Sequence, residues 1–458
     1  MGQHRGMLCK TSLISAQLLA GWLPNSTGFQ DSDTHPIRCH YEIEEDADRC
    51  GMVLGAVEAA WTAQVDEIGF PAPVPDGDGL LDVYLHVDPA GGAYAWCGTN
   101  PDVDDKDGRS GCAAIIAIDR EIPDKILPWY LAHEFNHTLQ WAIDFNEGSL
   151  PVWEGTATAA EVWTDDSRFV IDKAYVDDFQ ATPWLGLLGD GNFLWDEYEI
   201  WSYTEYGSAL WIQYLDTEYG DGRGSGGLAL WLALAQEGLP NNPDVLDGVE
   251  SLTGDWRDAL MDFSLLRTRI GTLAAPEWSK YLDDQGVLVP DARLAAAEGL
   301  LTPVTQPYET GAVFWVLTDL PANRDISLRV DGEEEGEWGV LWATDSAGAW
   351  ERSRSLTFTP PVGTTEVWVG VVNLDHAVYA RTAATQALKN GQQQISLEIG
   401  LPESEEPQDT GGFGDSDTGI EESPGEDSCG GCSGTRGRGA WWMLSGLVLL
   451  RRRGTQGT

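Results

Sequence analysis

The sequence predicts an α+β protein, a mostly helical domain carrying a few strands and then an all-β sandwich. Three observations lead there. Apolar residues recur at helical spacing in several segments before Gly271, and short alternating runs replace them after Thr302. Hydrophobic residues make up 42% of the chain and include 21 tryptophans, enough to build well-packed cores. A chain of 458 residues has room for two or three domains.

Taken in order, the first segment is basic and then apolar. His4, Arg5 and Lys10 precede "SLISAQLLAGWL" (Ser12–Leu23), the layout of a secretory leader, which we place at residues 1–28. Residues 29–300 are expected to form the helical domain. Within it, Cys50, Val53, Leu54, Val57, Trp61 and Val65 give Ala47 to Phe70 a helical period. The turn-rich "FPAPVPDGDG" separates this helix from a strand, "LLDVYLHV", and "CAAIIAID" reads as a second strand. From there to Gly271 the pattern is mostly helical, as in "YGSALWIQYLDTEYG" and "DWRDALMDFSLLRTRI". Residues 301–401 hold the runs "GAVFWVL", "ISLRV", "WGVLWAT", "TEVWVGVVN" and "QQISLEIG", expected as strands of a β-sandwich. Residues 402–428 are acidic and rich in Gly, Ser and Pro, a linker composition. Residues 429–458 form a separate terminal segment.

Charge narrows the partners. Against 27 basic residues stand 74 acidic ones, a net of −47. Such a surface repels nucleic acid and anionic membranes, and suits a soluble exported protein. The seven cysteines fit export. Cys9 lies in the leader, on the wrong side of the apolar run for acylation, and Cys429 and Cys432 lie in the tail. Cys39, Cys50, Cys97 and Cys112 remain, an even set with three possible pairings. Proximity favours Cys39–Cys50 and Cys97–Cys112, the latter closing "CGTNPDVDDKDGRSGC".

The chemistry is concentrated in "WYLAHEFNHTLQWAIDFNEGSLPVWEGTATAAEVW". His133, Glu134 and His137 form H-E-x-x-H in an apolar-periodic segment, so both imidazoles project from one helix face toward a single ion. Glu134, beside them, can act on a water rather than bind the metal. A catalytic zinc site needs a third protein ligand. Pro151 can open a second helix, on which Glu154 and Glu161 lie about two turns apart and share a face. Glu154 is the expected ligand and Glu161 a carboxylate that orients an imidazole.

This pattern resembles the gluzincin metallopeptidases, including the aminopeptidase-N-like and hyicolysin-like groups. They pair H-E-x-x-H with a downstream Glu-Gly, here Glu154-Gly155, and tend to carry a further Glu where Glu161 stands. The resemblance covers this stretch only. It implies a zincin-like fold, zinc held by His133, His137 and Glu154, Glu134 as general base, and a protein or peptide substrate. The spacing from His137 to Glu154 is slightly shorter than in the aminopeptidase-N-like group, and the exopeptidase Gly-x-M-x-N signature is absent, which favours an endopeptidase or another kind of secreted relative. The chain is also similar to secreted myxobacterial metalloproteases with H-E-F-x-H and E-G-T-A motifs. Relatives supply an oxyanion donor from a Tyr that opens a later helix. "SYTEYGSALW" offers Tyr203 and Tyr206 for it, neither at the relatives' offset from the glycine.

The terminal segment resembles the MYXO-CTERM sorting signal through Cys429, Cys432, the Trp/Leu run and Arg451, Arg452 and Arg453. That implies removal of the tail and a product at the cell surface or released, with membrane contact only through the tail before processing. Two Asp-rich loops raise Ca²⁺: Asp76, Asp78 and Asp82 in one, Asp102, Asp104, Asp105 and Asp107 in the other. Neither completes an EF-hand, and solvated turns before strands are the favoured reading. His40 and His86 lack a paired ligand pattern. Two rival readings stand beside the peptidase: a surface adhesion protein with an inactive H-E-x-x-H domain, and a zinc hydrolase of non-peptide bonds. Glu134 speaks against the first, because a scaffold has no need of a carboxylate there.

Overall fold

The computed structural model describes residues 26–86, 92–97, 103–104, 110–144, 149–165, 173–187, 189–235, 245–271, 287–321, 324–376 and 393–401. Most of the leader, the linker and the tail lie outside the described residues. The fold is α+β, as the periodicities require.

The first layer is a five-stranded sheet. β1 (Gly28–Asp31) and β2 (Ile37–Tyr41) pair antiparallel, and α1 (Ala47–Trp61) follows. Thr27 already donates its N–H to Tyr41 O at 2.9 Å, so the folded part begins ahead of residue 29. The helix predicted for Ala47 to Phe70 continues past α1 as a wider π-type turn over Thr62–Ile68 and stops at Gly69, whose φ of 97° few other residues tolerate. β3 (Leu81–His86), β4 (Ala93–Cys97) and β7 (Ala114–Asp119) complete the sheet in the order β1-β2-β3-β7-β4, while β5 (Val103–Asp104) and β6 (Ser110–Gly111) pair separately. β2, β3 and β7 run parallel and β4 runs antiparallel at the edge. β3 and β7 are buried on both faces, which explains their unbroken apolar runs.

Helices cover this sheet. α2 (Leu127–Ile143) and α3 (Leu150–Thr164) form an adjacent pair. α4 (Lys173–Ala181), α5 (Gly191–Tyr198), α6 (Thr204–Gly207), α7 (Ala209–Tyr219), α8 (Ser225–Leu234), α9 (Val245–Thr253) and α10 (Trp256–Arg267) follow. Among the described residues no helix is long and apolar enough to cross a membrane.

The sandwich comprises β8 (Ala292–Ala295), β9 (Gly299–Leu301), β10 (Ala312–Thr318), β11 (Ile326–Gly332), β12 (Trp338–Ala343), β13 (Gly348–Glu351), β14 (Ser355–Phe358), β15 (Glu366–Asn373) and β16 (Ile395–Gly400). One sheet has the order β13-β12-β15-β10-β8 and the other β14-β11-β16-β9. Trp315, Val340 and Val369 of the first meet Leu328, Phe358 and Leu397 of the second in the inter-sheet core. β16 alternates buried with half-buried residues, whereas β10 is buried on both faces. The reason is that Phe314, Leu341 and Val372, on the far side of the first sheet, join the core of the helical region. The two regions therefore belong to one compact unit.

Candidate metal centre

α2 places the two histidines. Its apolar positions Leu131, Phe135 and Leu139 are buried, and Pro128 sits in the first turn, where a missing N–H costs nothing. α1, α3, β4 and β7 all pack on α2, so its polar residues are buried too. One turn apart, the His133 and His137 rings stand nearly perpendicular at 4.8 Å. α3, with Pro151 in its first turn, returns beside α2 and turns Glu154 toward both rings. Glu154 Oε2 lies 3.1 Å from His133 Nε2 and 3.6 Å from His137 Nε2. Ligands of one tetrahedral ion bound at about 2.1 Å would lie about 3.4 Å apart, so these separations fit. Donor atoms of His133, His137 and Glu154 all fall within 4.8 Å of one another, and no other such trio occurs among the described residues. His137 Nε2 is buried and has only the distant Glu154 Oε2 beside it, so it could serve as a metal ligand.

A hydrogen-bonded frame orients both rings. His133 Nδ1 meets Glu161 Oε1 at 3.0 Å, so Glu154 and Glu161, two turns apart on α3, engage opposite nitrogens of one imidazole. His137 Nδ1 meets Gln140 Oε1 at 2.7 Å. Gln140 Nε2 donates to Asn136 Oδ1 at 2.8 Å and to Trp153 O at 3.0 Å. Asn136 in turn donates to Gln64 Oε1 at 2.9 Å, and Gln64 Nε2 donates to Ala132 O and Thr164 Oγ1, both at 3.0 Å. The wide turn after α1 is thus what brings Gln64 to α2 and α3. Sequence reading missed Gln140, Asn136 and Gln64. The i to i+3 spacing of His137 and Gln140 could have revealed the first. Nothing local points to Gln64.

Buried charge shapes the site. Burial works against a charged His133, but its bonds to Glu154 and Glu161 prevail and raise its pKa to about 10. Burial likewise disfavours the Glu154 anion, and His137 and His133 outweigh it, holding the carboxylate well below its usual range. Glu134 is pushed upward by burial, against the pull of His133 and His137. It accepts the Ala95 backbone N–H from edge strand β4, while its Oε2 is buried without a hydrogen bond. The Tyr206 ring lies against His133 at 5.9 Å and against Tyr175 at 4.9 Å. Tyr203 is one ring further out, 6.1 Å from Tyr206, with its N–H donated to Asp178 at 2.7 Å. Glu205, also absent from the sequence reading, accepts the Gly191 N–H at 2.7 Å, and burial pushes its pKa up to about 8.

The remaining candidates lie elsewhere. Asp76 and Asp78 accept backbone N–H groups of their own turn, Asp78 also bonds Arg38, and Asp82 bonds His40 at 2.9 Å. Asp76 and Asp78 also share a side-chain hydrogen bond, but the three carboxylates do not converge as a metal-ligand group among the described residues. Asp102, Asp105 and Asp107, and the Asp104 side chain, lie outside the described residues. His86 is buried in β3, edge-on to Tyr94. Cys39 and Cys50 form a disulfide joining β2 to α1. Cys112 is disulfide-bonded. The Cys97 side chain lies outside the described residues, though its backbone pairs with Ala114 across β4 and β7.

No family model and no curated protein matches the sequence. Among solved structures, the pre-peptidase C-terminal domain of a collagenase from Bacillus anthracis is similar at 8% identity and a TM-score of 0.18, covering 24% of this chain and 97% of that one. A family GH115 4-O-methyl-alpha-glucuronidase is similar at 9% identity and a TM-score of 0.13, covering 73% of this chain and 53% of that one. Likeness this slight carries no argument about fold or function.

Proposed function

We propose that the protein is a zinc metallopeptidase acting on internal bonds of protein or peptide substrates. One observation supports this above the rest: Glu134, buried beside His133 and His137, keeps an oxygen without a hydrogen bond. Leaving a buried acceptor unpaired costs about 1–3 kcal/mol, so packing alone gives no reason for that carboxylate. His133, His137 and Glu154 are the ligand set, and two nitrogens with one carboxylate suit zinc.

When bound, zinc supplies a Lewis acid that polarises a substrate carbonyl and acidifies a water. Glu134 Oε2 would be the base that accepts the proton of the attacking water and passes it to the departing nitrogen. Tyr206, whose ring rests on His133, is the nearer of the two tyrosines to serve as oxyanion donor. Substrate geometry follows from β4, the edge strand whose Ala95 N–H already meets Glu134. An extended peptide adding to that edge would carry its carbonyls past the ligands, which favours a peptide over other hydrolysable substrates. The Cys39–Cys50 disulfide supports work outside the cytoplasm, in keeping with a secreted or surface enzyme.

The test compares two glutamates, with zinc content and cleavage of denatured casein as readouts. Glu134→Gln should retain zinc and lose ~10²-fold or more in turnover. Glu154→Ala should lose zinc affinity together with activity. Wild-type protein that takes up no zinc, or a Glu134→Gln variant that cleaves at the wild-type rate, would overturn the reading.

A further inference from the structure

A run of aromatic rings leads from the metal centre to the surface. Tyr206 lies 5.9 Å from His133, Tyr203 6.1 Å from Tyr206, Trp201 6.1 Å from Tyr203, and Trp195 6.1 Å from Trp201. Exposure climbs along it: Tyr206 is 3% exposed, Trp201 58% and Trp195 53%, with Ile200 between them in sequence at 41%. Soluble proteins seldom leave neighbouring tryptophans this open without a use for them. Asp196 and Glu199, both exposed, lie between the two tryptophans on the same segment.

We propose that Trp201 and Trp195 form a substrate subsite for an extended peptide segment that carries large apolar side chains together with lysine or arginine. The placement beside the scissile bond rests on the peptidase reading. Three features support the ligand. The patch is continuous, ring by ring, with a metal-binding imidazole. Side chains on one face of an extended peptide recur every ~6.6 Å, close to the spacing of these rings, so consecutive same-face residues can each meet one. Asp196 and Glu199, exposed between the two tryptophans in the chain, favour basic groups on the bound segment and repel acidic ones. Exposed tryptophans are also the side chains that give most when an apolar partner covers them.

The experiment uses the full-length, zinc-loaded Glu134→Gln protein and three fluorescein-labelled peptides: alternating phenylalanine and lysine, alternating phenylalanine and glutamate, and alternating serine and lysine. The phenylalanine–lysine peptide should bind tightest. Serine–lysine, which has the same charge, should bind at least ~10-fold more weakly, and Trp201→Ala or Trp195→Ala in the same background should weaken the first peptide by ~10-fold. Zinc content measured on each variant separates a lost subsite from a damaged centre. Equal binding of the two lysine peptides, or no change on removing both tryptophans, would overturn the subsite. Cleavage by the wild type is scored separately. Peptide binding with the expected preference but no cleavage would keep the subsite and sink the peptidase reading. Cleavage that ignores both tryptophans would do the reverse.

Discussion

His137 Nδ1 and Gln140 Oε1 lie 2.7 Å apart on one face of α2. This bond fixes the tautomer of His137 and turns Nε2 toward Glu154, as Glu161 does for His133 from α3. The two imidazoles are therefore oriented from different helices by different chemistry, one through a neutral amide and the other through a carboxylate.

Gln140→Ala and Glu161→Ala should each weaken zinc binding by ~10–100-fold, read by competition with a chromogenic chelator. Gln140→Glu keeps an acceptor for His137 but loses the donors to Asn136 and Trp153 O, so its affinity should fall between wild type and alanine. A Gln140→Ala protein with wild-type affinity would show that His137 needs no such partner.

Gly155 sits where α3 crosses the start of α7. A Cβ there would stand 2.2 Å from Ser208 Oγ and 3.2 Å from the backbone nitrogen of Ala209. Ser208 is itself tied to Pro151 O at 2.6 Å and cannot give way without loss. Gly155→Ala should lower stability by about 1–3 kcal/mol and displace Glu154, the next residue along. Thermal melting and zinc content are the measurements, and an unchanged melting point would show that the contact is slack.

The Cys39–Cys50 bridge closes a short loop between β2 and α1, with both cysteines wholly buried. Replacing both by alanine should cost roughly 3 kcal/mol in denaturant unfolding. The wide turn that carries Gln64 follows α1 directly, so zinc affinity should fall with it. Full stability in the double variant would mean that core packing alone holds α1.

Glu205 gives a pH dependence. Burial raises its pKa from 4.5 in the unfolded reference to about 8, so between those values the folded state binds more protons than the unfolded one. Its contribution is fully present below the lower value and is lost as pH rises through the upper one. Wild type should therefore lose stability relative to Glu205→Gln as pH rises from about 5 to 9. Parallel melting curves for the two proteins across that range would show that Glu205 titrates normally.

The sequence by itself determined the parts that depend on short-range repetition. Helical spacing puts His133 and His137 on one face, and two turns of α3 align Glu154 with Glu161. The runs at β3, β7, β10, β11, β12, β15 and β16 are legible because side chains alternate along a strand or stay apolar when both faces are covered. Tertiary structure alone decided the rest. Tyr206 rather than Tyr203 lies on His133 because α6 packs beside α3 and α4. Gln64 reaches the site only because a widened turn carries α1 past α2. β10 is buried on both faces because the helical region covers its outer side. β8 and β9, each an exposed edge strand of its own sheet, are too short to leave a pattern. In each case the deciding contact joins residues far apart in the chain, and a local pattern records which side of an element is apolar without recording what that side will meet.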